Sequence, residues 1–266
     1  MPRRLLAALA LCLSVVCLAA AEPVWLTDLD EGIKVAKAEK KAILVDFTGS
    51  DWCGWCIRLK KEVFDQKEFA AATKDFVLVE LDYPQKKKQS AEEKAKNKAL
   101  AEKFSIEGFP TIMLLDANGE PFAQTGYVAG GPAKYLSHLA ELLKTNTAEG
   151  RKAFAQAKKD EGLVRGYGAE LETILTPYFE KKDLAAGEAA LAQFIKAKAL
   201  SGAAKLNLTI NARVSLAQAC KPGDHAAVLK VLDEVIAETP ADLKELAEVK
   251  QFRAQVAAAA AAKAKK

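Results

Sequence analysis

The sequence predicts a mixed α/β sheet with flanking helices, followed by an all-α region. Three observations carry this. Two apolar runs of strand length, 42–47 and 76–82, are separated by a helical stretch, which makes them parallel neighbours in one sheet. Two further runs, 111–115 and 122–128, are joined by the turn residues Asp116-Ala117-Asn118-Gly119, which makes them an antiparallel hairpin. Beyond 146–151 the strand pattern stops, alanine becomes abundant and only helical patterning continues.

Taken in order, Met1–Ala21 reads as a signal peptide. Arg3 and Arg4 form its basic start, Leu5–Leu18 is apolar apart from Ser14, and Ala19-Ala20-Ala21 places cleavage before Glu22. An uncleaved anchor is the alternative, for which the run is short. Trp25–Lys41 is a predicted helix capped by Thr27 or Asp28, with Leu29, Ile33 and Ala36 on one face. The run Ala42–Phe47 follows as a strand buried on both faces. After a turn at 48–52, Cys53 opens a helix that buries Leu59 and Val63. The second strand is Phe76–Asp82. A lysine-rich stretch, 85–104, then reads as a solvated basic loop plus a helix over 91–104. The functional alternative is that Lys86-Lys87-Lys88 meets an acidic partner. After the hairpin, Gly130-Gly131-Pro132 starts a helix running to about Lys144.

The remaining chain divides into predicted helices at about 150–160, 166–181, 184–199, 203–219, 224–238 and 241–256, with Pro222-Gly223 and Thr239-Pro240 as punctuation. The expected organisation is a signal peptide at 1–21, an α/β domain at 22–146, a helical domain at 147–256 and an Ala/Lys tail at 257–266. Within 209–240 the spacing of Gly223-Asp224 and Pro240 is weakly like a tetratricopeptide repeat. Leu216, Val228 and Val235 stand where that repeat needs small residues, so generic antiparallel helix packing is the better reading.

Half of the 266 residues are apolar and 28% are charged, the balance of an ordinary globular protein. The net charge is +4, and +2 once Arg3 and Arg4 leave with the signal. That is too small for a nucleic-acid binder. No apolar run after the N-terminus is long enough to span a membrane. Processing removes Cys12 and Cys17 and leaves Cys53, Cys56 and Cys220. Three cysteines do not make a disulfide scaffold, but export puts a Cys-x-x-Cys pair where a dithiol has chemistry to do.

That pair lies in Thr48-Gly49-Ser50-Asp51-Trp52-Cys53-Gly54-Trp55-Cys56, between a strand and a helix. A thiol at a helix N-terminus has a depressed pKa, because free N–H groups and the helix dipole stabilise the thiolate. Cys53 is therefore the expected nucleophile. Cys56, one turn further in, is the expected resolving thiol. Two other readings compete. A zinc half-site lacks further ligands, since Cys220, His138 and His225 form no second close pair. A purely structural disulfide would close too small a loop to stabilise the fold much. Neither a metal nor a cofactor is expected.

Residues Trp25 to about Lys144 resemble the thioredoxin-fold family, in particular the exported thioredoxin-like proteins similar to the C-terminal domain of the disulfide-relay reductase DsbD. The resemblance rests on Val45-Asp46-Phe47, Trp52-Cys53-Gly54-Trp55-Cys56, Gly108-Phe109-Pro110-Thr111 and Gly126-Tyr127 in that order. It implies that Cys53 and Cys56 exchange disulfides and that Trp52 packs beside them. Pro110 would be cis, the backbone of Phe109 would pair with an extended substrate, and Trp55 would share in substrate contact. Asp46 would be a buried carboxylate that moves a proton to or from the resolving thiol. The chain departs from the family pattern in two respects. The stretch from Asp46 to Cys53 is one residue longer than usual, and Glu80 takes the place of a lysine near the carboxylate, which makes Asp46 harder to ionise. The implied activity is that of a thiol–disulfide oxidoreductase in the periplasm or secreted, acting on disulfide-containing exported proteins with a dithiol electron donor or acceptor. A reductase is the preferred direction. An isomerase, or a scaffold that binds through its helical half, are the alternatives.

Overall fold

The computed structural model describes residues 23–264. The expected signal peptide lies outside the described residues. The chain divides into two compact units, the first ending at Lys152 and the second beginning at Ala153.

The first unit is built on a five-stranded sheet in the order β1-β3-β2-β4-β5. Its strands are β1 (Trp25–Leu26), β2 (Ala42–Thr48), β3 (Phe76–Asp82), β4 (Thr111–Leu115) and β5 (Pro121–Thr125). β2 pairs parallel with β3 and antiparallel with β4, and β4–β5 form the expected hairpin. All seven residues of β2 are buried, as its unbroken apolar run requires. Because side chains alternate, Ala42, Leu44 and Asp46 face one side of the sheet and Ile43, Val45 and Phe47 the other.

Helices cover both faces. α1 (Leu29–Glu39) starts at Asp28, whose carboxylate accepts the N–H groups of Asp30 and Glu31. This capping ends the strand-like entry, so the helix begins four residues later than its predicted start and Trp25-Leu26 instead extends the sheet beside β3. α2 (Gly54–Leu59) runs into a single π-helical stretch, Lys60–Phe64, and a separate short helix follows, α3 (Lys67–Ala72). α4 (Ala91–Lys103) is fixed by a reciprocal capping box between Ser90 and Glu93. Its Lys96 binds Asp28 and thereby ties the cap of α1 to α4. α5 (Gly131–Leu143) closes the unit. The core under α2, α3 and α5 includes Leu44, Leu59, Val63, Phe69, Leu78, Ile112 and Tyr135.

The second unit is helical. α6 (Ala148–Lys181) is one continuous helix where two were expected. A Cβ on Gly162, Gly166 or Gly168 would meet nothing, so these glycines are open surface positions, not breaks. α7 (Leu184–Ala197), α8 (Gly202–Cys220), α9 (His225–Glu238) and α10 (Leu246–Ala264) follow. α10 begins later than expected and carries the Ala/Lys tail as helix as far as Ala264. Gly187 is required for the contact of α7 with α8, since a Cβ there would come within 2.6 Å of Leu216. Arg213 on α8 is buried but neutralised. It bonds Glu188 at 2.9 Å and also Glu234, with Glu238 at 3.6 Å. Such a charge is tolerated only with its partners in place. Among the described residues no helix is long and apolar enough to cross a membrane.

Leu44, fully buried at the centre of β2, gives a direct test of this core. Leu44→Ala should lower the stability of the first unit by about 2–5 kcal/mol. Urea unfolding followed by tryptophan fluorescence reports on that unit alone, because Trp25, Trp52 and Trp55 all belong to it.

Candidate active site

β2 delivers the chain to the site. At its end Gly49 makes a tight turn in which its carbonyl accepts the N–H of Cys53 at 2.9 Å. The Trp52 indole lies so close over Gly49 that a Cβ there would stand 2.5 Å from the ring, so only glycine fits. Trp52 is held from the far side as well, its Nε1 donating to the carbonyl of Tyr83 at 2.8 Å.

Cys53 is the N-cap of α2 and is joined to Cys56 by a disulfide, with Cα atoms 5.2 Å apart. The Cys56 N–H points at the Cys53 sulfur, at 3.2 Å. The helix therefore offers a free backbone donor to the atom that would carry charge once the bond is reduced. Both cysteines are largely covered in this form, Cys53 at 6% exposure and Cys56 at 3%. Their surroundings are not covered. Trp52, Trp55 and Ile57 are 39%, 55% and 47% exposed, so half of the six large exposed apolar side chains among the described residues lie within one six-residue stretch. Apolar surface gathered in this way is the kind on which proteins, membranes or ligands dock. Ile57 was missed in the sequence. Its signal was an apolar residue on the outward side of α2, directly after Cys56.

Two aromatic flanks frame the disulfide. On one, Phe109 packs edge-on against Trp52 at 5.7 Å and lies 5.0 Å from Tyr83. The Phe109–Pro110 bond is cis, and Gly126 admits the Pro110 carbonyl, which would stand 3.1 Å from a Cβ at that position. On the other flank Trp55 packs at a tilt against Tyr127, with ring centroids 5.2 Å apart and the Arg58 guanidinium over both rings. Glu62 fixes this group. One of its oxygens accepts from Arg58 at 2.7 Å and the other from the Tyr127 hydroxyl at 2.5 Å. Those bonds hold the Glu62 carboxyl below its usual range, the Tyr127 bond first. Nothing in the linear order of residues hints at this brace.

Asp46 lies inside the fold, on the sheet face that α2 covers, in register with Glu80 on β3 and Ile112 on β4. It is 4% exposed, and its Oδ1 has no hydrogen-bond partner. Burial pushes its pKa up to about 8, and the Glu80 carboxylate adds to the rise. Glu80 is itself raised by burial. The site thus joins Cys53, Cys56, Trp52, Trp55, Phe109 and Pro110 at the surface and sets Asp46 in the interior beneath α2. His138 is separate, sharing a hydrogen bond with Thr125 at 2.8 Å. Cys220, at the end of α8, carries a free thiol. Among the described residues no three His, Cys, Asp or Glu side chains are grouped to hold a metal.

A redox-active cysteine pair capping the helix after a central strand, beside a cis-proline that precedes an antiparallel hairpin, defines the thioredoxin-like class of dithiol–disulfide proteins. Comparison with known proteins agrees. The family described as a thioredoxin-like domain matches residues 29–143. The disulfide bond reductase DsbH of Chlamydia pneumoniae is 37% identical over 115 residues, which are 43% of this chain and 69% of that protein. The thiol:disulfide interchange protein DsbD of Vibrio vulnificus strain CMCP6 is 30% identical over 118 residues, which are only 18% of its length. A solved structure of a DsbH oxidoreductase is 32% identical and covers 54% of this chain and 95% of its own, with a TM-score of 0.46. The chain belongs to the thioredoxin-like family of Dsb type and is a thiol–disulfide oxidoreductase.

Asp46 sets a pH dependence that can be measured. A carboxyl ordinarily titrates near pH 4. Between about pH 4 and pH 8 the unfolded chain therefore holds fewer protons here than the folded one, and stability falls as pH rises through that window. Asp46→Asn should raise the stability of the disulfide form by up to about 5 kcal/mol at pH 8. It should change little below pH 4 and flatten the slope between. Denaturant titrations at a series of pH values check this, and an unaltered slope counts against it.

Proposed function

We propose that the protein is an exported disulfide reductase that acts on other exported proteins through Cys53 and Cys56, with residues 22–146 carrying the exchange. The observation that carries the reading is the position of the Cys53–Cys56 disulfide, at a helix start and ringed by exposed Trp52, Trp55 and Ile57. The direction is supported by the reductase named among its relatives, and export by the signal-like segment Met1–Ala21.

In this reading the reduced Cys53 is a thiolate, favoured by the N–H groups at the start of α2. It attacks one sulfur of a client disulfide. The client's other sulfur leaves as a thiolate and takes up a proton, and Cys53 is left in a mixed disulfide. Cys56 then loses its proton and attacks the Cys53 sulfur. The internal disulfide forms, and the client's second sulfur leaves. Two electrons pass to the client, and an external dithiol, oxidised in turn to a disulfide, restores the starting state.

Asp46 is the acceptor of the Cys56 proton. An ordinary carboxylate is too weak a base to take a proton from a thiol of pKa about 8.5. At about 8 Asp46 is a far stronger base than an ordinary carboxylate, which suits it to take up that proton. The cis Phe109–Pro110 segment offers its backbone to an extended client strand, while Trp52 and Trp55 cover the client's apolar side chains.

Cys53→Ser should abolish reduction of insulin disulfides by the protein supplied with dithiothreitol. Cys56→Ser should accumulate a mixed disulfide through Cys53 that non-reducing electrophoresis displays. Absence of turnover in the wild type refutes the reading. Reshuffling of a scrambled substrate without net reduction overturns the assigned direction.

A further inference from the structure

Tyr83 to Ser90 joins β3 to α4 and carries Lys86, Lys87 and Lys88. Such a run, left loose, would be a solvated loop with no defined place. Here it is held against the turn that leads into Cys53. A single carboxylate, that of Asp51, accepts the backbone N–H groups of Gln85, Lys86 and Lys87 at 2.9, 2.7 and 2.7 Å. Asp51 is two residues before Cys53. The same loop is gripped at its start, where the Tyr83 carbonyl accepts the Trp52 indole N–H, and near its end, where the Gln89 side-chain amide donates to the Asp82 carbonyl. Tyr83 also packs, tilted, against Phe109, beside the cis-proline. The triplet is therefore a fixed rim on the Trp52–Phe109 side of the disulfide.

Among the described residues none of the three lysines makes a direct ion pair with a carboxylate, although Lys87 is close enough to act electrostatically on Asp51 and Glu80. Asp51 is turned onto main-chain donors, and Asp82 onto the N–H and hydroxyl of Ser50 at 2.9 and 2.6 Å. Lys87 reaches the Ser50 hydroxyl at 2.9 Å, not a carboxylate. Lys86 and Lys88 are exposed and, among the described residues, pair with no acidic side chain. The backbone that carries these three cations is already ordered beside an apolar surface, so an ion pair formed here does not also have to order the loop.

We propose that the Lys86–Lys88 rim is a specificity element that recognises an acidic segment of the client chain flanking its disulfide. This rests on the thiol–disulfide reading above, and it adds a preference among clients that the exchange chemistry alone does not supply. The acidic segment continues past Phe109 and pairs with the lysines, while the apolar residues next to the disulfide rest on Trp52.

The test uses the full chain and two peptides of equal length with one internal disulfide, flanked on both sides by glutamates in one and by glutamines in the other. At low ionic strength the wild type should reduce the glutamate peptide with a kcat/KM roughly fivefold to tenfold above that of the glutamine peptide, the size expected of two or three exposed ion pairs. The ratio should fall towards one in 0.5 M salt. Replacing all three lysines together by glutamine should bring the ratio to one at low salt. Replacing them together by glutamate should drop it below one. Both variants keep the main-chain donors that Asp51 holds. A wild-type ratio near one, a ratio indifferent to salt, or a preference that survives both replacements overturns the proposal. Failure of the wild type to reduce either peptide would instead overturn the thiol–disulfide reading.

Discussion

Everything at the site hangs on the burial of β2. A strand covered on both faces and bonded on both edges has no freedom of position or register, because a slip of one residue would exchange its two faces. Two features follow from that single constraint. Asp46 must lie inside, among Leu44, Tyr135 and the residues of β3, where solvent cannot stabilise its charge. The chain must also leave the sheet at Thr48 in a fixed direction, so the turn at Gly49 and the start of α2 are set before any side chain of the site is considered.

From this base the site divides the work between surface and interior. The disulfide presents little of itself. What lies open around it is its frame, with Trp52 and Phe109 on one side and Trp55, Arg58 and Tyr127 on the other. Each side is locked by a polar contact, the indole N–H on Tyr83 and the Glu62 carboxylate between Arg58 and Tyr127. Aromatic rings held in this way offer contact area at low cost in conformational entropy. Beneath them a buried carboxyl with one unpartnered oxygen is a cost to the fold, and a buried polar group kept at such a cost is most readily understood through its chemistry.

Much of this was legible in the sequence. The runs around Leu44 and Leu78 and the turn at Asp116–Gly119 are local signals, and they yielded the sheet and its strand directions. The Cys-x-x-Cys, Pro110 and Asp46 were legible through a family pattern spread along the chain. What escaped was either too short or too remote. β1 is two residues long and exists only because β3 has a free edge. α6 runs through glycines that looked like breaks because nothing in a linear reading shows that their surroundings are open. The brace at Glu62 needs Tyr127, 65 residues away, and the grip of Asp51 needs backbone groups 34–36 residues on. Bonds to main-chain N–H groups leave no trace in residue identity.

That last property has an evolutionary consequence. Because Asp51 holds peptide groups and ignores what they bear, residues 85–87 can be rewritten with any amino acid but proline while the loop keeps its shape. If the lysine rim selects clients as proposed, the segment is a cassette beside a fixed reactive centre, in which drift or design recodes that preference without disturbing the chemistry next door.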